Sequence, residues 1–406
     1  VIYYKKPKPK DFLWQFIPKK YIYLSKTKKV PYNGIELKTE YLIDIIHEFI
    51  LKYYFKRDEQ FEPELKFNIM SILLKKKYGE HYNYYINYLI EHEFLIMTSN
   101  YCKSKKARTY KLNLINLNDV TKHKNHDKVL LKKNTQEYLR KTFLNTNNSP
   151  IPLEIREKLV DDLYKVKIDT VKALDYLNDL KDKNIICHNK YQKNMISIEN
   201  IGIENIFFKF DDYGRMHTNF TVLKKEIRNK FITIDGSPIF EVDIANSQPF
   251  FLALLMLKNK PISEMIKPDV SRYIDLVKNG IVYEEIMEKC NIKDRKEAKL
   301  MMYKVIFGNN CIIKFKKENM QFQKAFPSVH QFILDYKDKA KNYKVLAHDL
   351  QLMESDFIFN KIISHLISSY PDMPIFTVHD SINVPIKYKD DVERIFDYYK
   401  RNLLTL

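Results

Sequence analysis

The chain has 406 residues, with 69 lysines and arginines against 51 aspartates and glutamates and a formal net charge of +18. That length supports a sizeable core spread over two or three domains, and that charge attracts polyanions, nucleic acid first among them. No apolar run is long enough to cross a bilayer, which argues against a membrane partner. Cys102, Cys187, Cys290 and Cys311 form no C-x-x-C pair, so neither a zinc ribbon nor a disulfide framework is expected, only reduced core thiols. The opening "VIYYKKPKPKDF" lacks the pattern of a secretory signal, and the expectation is an intracellular, cytoplasmic protein.

With 7 glycines in the whole chain, helices should dominate. From Leu37 to about Leu95, "YLIDIIHEFILKYYF" and "HYNYYINYLIEHEF" carry apolar residues at helical spacing, which predicts two or three helices. "FLIMTSNYCKSKKARTYKLN" then predicts strands over Phe94–Thr98 and Ala107–Leu112, joined by a tip bearing Lys103, Lys105, Lys106 and Arg108. Helices followed by a basic hairpin are winged-helix-like, an arrangement that can set cations on phosphates while a helix approaches a groove. The polar, basic stretch 121–135 predicts a linker, with His123 and His126 in solvated loop and a domain boundary near 125. "TQEYLRKTFL", "PLEIREKLVDDLYKVK" and "TVKALDYLNDLKDKNI" predict a helical arm over 126–204.

The richest region for chemistry starts at "PIFEVDIANSQPFFLALLML". Ile239 to Ala245 reads as a buried strand carrying Asp243 near its end, Ser247 as the cap of the next helix and Pro249 as part of its first turn. "PIFTVHDSINVPI" reads as a second buried strand with His379 and Asp380 inside it. Paired side by side, these strands would bring two carboxylates together, an unfavourable meeting unless divalent cations bridge them. Between them, in "DRKEAKLMMYKVIFGNN", Asp294 can cap a helix on which Arg295, Lys299, Tyr303 and Phe307 follow at intervals of four. Such residues form one winding stripe, opposite an apolar face of Ala298, Met301, Met302, Val305 and Ile306. Two cations followed by two rings suit a nucleoside triphosphate.

Together these segments resemble the motifs of family A DNA polymerases, the DNA polymerase I type, and of the related phage-type single-subunit RNA polymerases. The family's helix pattern R-x₃-K-x₃-(F/Y)-x₃-Y-G is met by Arg295, Lys299, Tyr303, Phe307 and Gly308, and its V-H-D by Val378, His379 and Asp380. Its D-x-S-Q-x-E-L-R-x-L-A aligns without a gap from Asp243 through Gln248 to Leu252 and Ala253. Weaker similarities lie in "YGRMHTNFTVLKKEIRNKF", with Arg215 and Arg228, and in "LQLMESDFIFNKII", with Gln351. The likeness spans roughly residues 205–390.

The resemblance implies an α+β right-hand polymerase fold. A palm with an antiparallel sheet and helical fingers would fill 205–406, a thumb-like region 126–204, and a helical, winged-helix-like nucleic-acid-binding domain 1–125. It implies that Asp243, Asp380 and the backbone of Ile244 hold two Mg²⁺ ions, for which Mn²⁺ can substitute. It implies that Arg295 and Lys299 bind the triphosphate, with Lys299 acting on charge that builds there, and that Tyr303, Phe307 and Gln248 face the base and sugar. His379, Arg215, Arg228 and Gln351 would meet a DNA or RNA primer-template. Three positions depart from the DNA polymerase pattern: Gln248 in place of glutamate, Phe307 in place of tyrosine and Ser381 in place of glutamate. The bulky Gln248 and Tyr303 favour deoxynucleotides over ribonucleotides. No exonuclease-type D-x-E cluster precedes residue 205, so no proofreading is expected. An RNA-making primase or small RNA polymerase, and a non-catalytic replication initiator on the same fold, are the alternatives.

Overall fold

The computed structural model describes residues 13–56, 66–68, 71–99, 108–113, 115, 120–127, 149–259, 267–310 and 313–403. Cys102, Cys311, Lys103, Lys105, Lys106 and the segment 128–148 lie outside them. The protein is α+β, with many helices and several small antiparallel sheets. It forms two compact units that interleave along the chain, and it crosses between them at 142/143, 167/168, 205/206, 221/222 and 231/232. No described helix is long and apolar enough to cross a membrane.

In the first unit, helix Thr39–Lys56 buries Leu42, Ile46, Phe49 and Ile50 in a core shared with helix Tyr82–Glu91. Strands Leu95–Ser99 and Thr109–Leu112 form the expected hairpin, extended by Phe67–Asn68. Residues 120–125 are not linker. They form strand Val120–Asn125, paired antiparallel with Leu13–Pro18. Fully buried Asn125 donates to Gln15 Oε1 (2.7 Å) and to the Glu40 carbonyl oxygen (2.9 Å). Lys122 and Lys124 lay their ammonium groups 5.5 and 5.2 Å from the Trp14 ring. Both lysines thus cover an aromatic surface, so a composition that reads as solvated loop is compatible with an ordered ribbon. His123 belongs to this strand too and approaches Glu40. Cys187 is exposed and Cys290 half-buried, so neither is the core thiol expected.

In the second unit, strands Phe376–Val378, Ser381–Pro385, Ser237–Val242 and Ile232–Ile234 lie side by side in that order, each antiparallel to its neighbour. Both strands of the 376–385 hairpin are wholly buried, whereas Ser237–Val242 is half-buried. Against this sheet packs helix Leu153–Leu163, whose Asp162 fixes the start of the hairpin. That carboxylate is fully buried and accepts from the backbone N–H of Ile375 (2.9 Å), from Lys165 Nζ (2.9 Å) and from Lys158 Nζ. Replacing it takes an ion-pair partner from two ammonium groups and leaves the buried Ile375 amide without its acceptor. Asp162→Ala is expected to destabilise the protein by about 3–5 kcal/mol in urea unfolding, with Asp162→Asn between it and the parent.

Candidate functional site

The central hairpin departs from the expected continuous strand. Phe376–Val378 and Ser381–Pro385 pair with Val378 opposite Ser381, so His379 and Asp380 are the two residues of the turn. His379 takes φ +57°, a left-handed conformation unusual without glycine, and stands exposed at the tip. Ser381 Oγ donates back to the Val378 carbonyl oxygen at 2.9 Å and helps close the turn. Strand Ser237–Val242 pairs with the same hairpin, Val242 opposite Ile382, and ends there. Asp243 therefore leaves its strand level with Ser381 and beside Asp380. Proximity, not shared burial, is what the register produces: Asp243 is exposed and Asp380 half-buried.

Asp380 is electrostatically uncomfortable. Burial comes first, then the charge of Glu354, with Asp243 adding to it, and together they push its carboxyl up to about 6 against the opposing pull of a backbone hydrogen bond and Arg215. Facing it is helix Arg295–Phe307, begun by Asp294, whose carboxylate accepts from the Lys296 amide (3.1 Å) as the sequence predicts. Ala298, Met301, Met302, Val305 and Ile306 are buried, which turns the opposite stripe outward. Lys299 Nζ lies 5.5 Å from the Tyr303 ring, and the Tyr303 and Phe307 rings are 5.3 Å apart. Burial, Asp380 and Glu354 push the Tyr303 hydroxyl up to about 12, so this ring shares the carboxylates' field. Arg295 stacks 5.0 Å from the Tyr283 ring, its Nε donating to Glu284 (2.6 Å) and its guanidinium reaching Asn246 Oδ1 (3.3 Å). At the helix's far end, buried Lys337 donates to the Val305 and Gly308 carbonyl oxygens (2.8 and 2.9 Å), a cation on the negative pole of the dipole.

Glu354 is the residue that motif reading passed over. It sits near the end of helix Val345–Ser355, 3% exposed, and accepts from three side chains. Oε1 receives Arg215 (2.7 Å), and Oε2 receives both Ser247 Oγ (2.7 Å) and Gln248 Nε2 (2.5 Å). Two expectations change here. Ser247 is the first residue of its helix rather than the cap before it: its hydroxyl donates to Glu354, and the Phe250 amide donates to the Asn246 carbonyl oxygen (2.9 Å). Arg215 turns inward rather than presenting its charge outward. Among the described residues, the buried polar atoms with no hydrogen-bond partner include Gln248 Oε1, Asn246 Nδ2 and Arg215 Nε, all in this neighbourhood.

Arg228 belongs to the first unit, where it is buried and donates to the Leu223 carbonyl oxygen (2.7 Å). Arg108, also in the first unit, is exposed just before strand Thr109–Leu112. Gln351 is half-buried one turn before Glu354, and the side chain of Ile244 is buried. No protein-family model and no curated protein matches this chain. The site is therefore interpreted from its own geometry. No group of three or more His, Cys, Asp or Glu side chains among the described residues is arranged to enclose a metal ion by itself. A cation held at Asp243 and Asp380 would need oxygen ligands from backbone, water or substrate as well.

Without a cation, the crowding at Asp380 must show in solution. Its folded-state carboxyl, pushed up to about 6 from an ordinary 3.8, holds a proton more tightly than the unfolded chain does between those values. Metal-free protein should therefore lose stability as pH rises from about 4 to about 6, and Asp380→Asn should remove that loss. Urea unfolding across pH, with ¹³C NMR titration of the Asp380 carboxyl, measures both.

Proposed function

We propose that the second unit is a template-directed nucleotidyltransferase that extends a primer 3′ end with deoxynucleoside triphosphates, the chemistry of a right-hand polymerase. The observation that carries this reading is that Asp243 and Asp380, 137 positions apart in sequence, come within reach of each other's charge, with Tyr303 of the Arg295–Phe307 helix in the field of Asp380. The sheet bearing the carboxylates corresponds to a palm and helix Arg295–Phe307 to the working element of the fingers.

The donor set fits Mg²⁺, with Mn²⁺ as a substitute: hard carboxylate oxygens, one exposed and one half-buried, under mutual repulsion that a divalent cation relieves. Asp243 and Asp380 would hold the ions, with the Ile244 carbonyl oxygen beside them. Bound there, Mg²⁺ supplies acidification of the attacking 3′-hydroxyl and charge neutralisation on the leaving pyrophosphate. Lys299 and Arg295 bind the phosphate oxygens and stabilise the charge that builds on them as the bond breaks. Arg295 must exchange its contact with Glu284 for phosphate, an exchange open to it because both side chains are about half exposed. Tyr303 and Phe307 offer ring faces to base and sugar, and exposed His379 meets the primer end.

One observation favours ribonucleotides as a second reading. Gln248 gives its amide N–H to Glu354 and leaves its buried Oε1 without a partner, an acceptor that a sugar hydroxyl could satisfy. Extension of a labelled primer on DNA and RNA templates, with dNTPs and NTPs in parallel, separates the two. Asp243→Asn and Asp380→Asn are each expected to lower extension about a thousandfold or more, and Lys299→Ala about a hundredfold, with the circular dichroism spectrum unchanged. Full activity in either aspartate variant removes the assigned chemistry.

A further inference from the structure

We propose that Glu354 is a positioning residue of the acidic site: it anchors the turn that follows Asp243 and adds a third negative charge to the field the cation meets. The inference rests on the reading of Asp243 and Asp380 as the cation-holding pair, and it gives a role to a residue outside the motifs that suggested that pair.

Three side chains from two separate pieces of the chain end on this one carboxylate. Ser247 and Gln248 lie four and five positions after Asp243, at the start of helix Ser247–Asn259, and both donate to Oε2. Arg215, just before strand Met216–Thr218, donates to Oε1. The backbone between Asp243 and these anchors includes Asn246 at φ +58°, a conformation that asparagine tolerates but that needs neighbours to hold it. With Val242 fixed by the sheet and residues 247 and 248 fixed by Glu354, the stretch carrying Asp243 is pinned on both sides. The carboxylate accepts from three side chains, one of them a guanidinium, and charge-assisted bonds of this kind hold both of its oxygens in place. Its charge reaches both Asp380 and Tyr303. Glu354 needs no direct bond to a cation to act: it can hold a ligand in place and deepen the local potential.

The anchor also sets the Gln248 amide. Both Glu354 oxygens are acceptors, so Nε2 must face them and Oε1 must face away. That orientation is imposed by the partner rather than chosen by a substrate. Glutamine at 354 would offer a donor as well and would relax it.

The test is Mn²⁺ binding to the full chain without nucleotide, followed by electron paramagnetic resonance of free Mn²⁺, with thermal unfolding to verify folding. Glu354→Gln, which keeps the shape and loses the charge, is expected to weaken Mn²⁺ binding by about three- to tenfold. Glu354→Ala, which also frees the turn, is expected to weaken it further. Glu354→Asp, which restores the charge on a shorter stem, should recover part of the loss relative to alanine. If Glu354→Ala fails to fold, the glutamine and aspartate variants decide. Folded Glu354→Gln and Glu354→Asp proteins that both bind Mn²⁺ within twofold of the parent overturn the inference. Asp243→Asn and Asp380→Asn run alongside: loss of binding in these with no change at 354 refutes the positioning role alone. No loss in any of them refutes the cation reading beneath it as well. In primer extension, Glu354→Gln should lower kcat more than it raises the KM for nucleotide, since the phosphate-binding stripe is untouched.

Discussion

Mutual repulsion among carboxylates at the end of one β-hairpin is the constraint around which the second unit is arranged. A polypeptide avoids setting like charges together in a partly desolvated place unless something positive arrives, and the guanidinium that opposes the charge here, that of Arg215, is already bonded to Glu354. Much of the surrounding structure bears on holding that arrangement. Asp162 ties down the start of the hairpin, the strand pairing sets Asp243 beside it, and Glu354 secures the turn that follows. Local strain of this sort, concentrated beside a stripe of cations and rings, is the usual signature of a place where a ligand completes the structure.

The helix opposite the carboxylates shows a complementary division of labour. Its C-terminal end is locked by Lys337, which spends its ammonium on backbone carbonyl oxygens. Its N-terminal end is held by Arg295, which bonds exposed Glu284 and buried Asn246, and on the proposed reading phosphate displaces the contact to Glu284. On the proposed reading, a fixed end and an exchangeable end let the helix take up a polyanion without unfolding its packing face. The first unit, with its exposed Arg108 and its lysine-covered Trp14 ribbon, carries positive charge of its own, and its buried Asp44 accepts from Gln15 and Tyr78 and pairs with Lys77.

What could be read from the sequence, and what could not, follows the distance between partners. Helix Arg295–Phe307 was legible down to its cap and its outward stripe, because spacing of four and an aspartate before it are local signals. The approach of Asp243 to Asp380 was legible as an expectation, since two apolar strands each ending near a carboxylate imply pairing. The split of the second strand was not. "VHDS" carries no Asn-Gly or Gly-rich turn signal, and a histidine at φ +57° is a choice that only the finished hairpin enforces. Glu354 was invisible for another reason. Its partners lie 106, 107 and 139 positions away, and a single glutamate in "LQLMESDFIF" looks like any solvated position. The contact of Ser247 is hidden by the same token, because its hydroxyl donates to that distant acceptor. The ribbon Val120–Asn125 was hidden because its partner strand lies more than a hundred residues earlier.

On the proposed reading, a family resemblance confined to three short motifs becomes a physical claim about one place: Asp243 and Asp380 share a cation. The most direct measurement is anomalous X-ray diffraction from crystals of the chain soaked in Mn²⁺, recorded at the manganese edge. The account predicts an anomalous peak within direct ligation distance of both carboxylates and facing Lys299 and Tyr303. Manganese found only elsewhere, with the two carboxylates left bare at millimolar Mn²⁺, would contradict it.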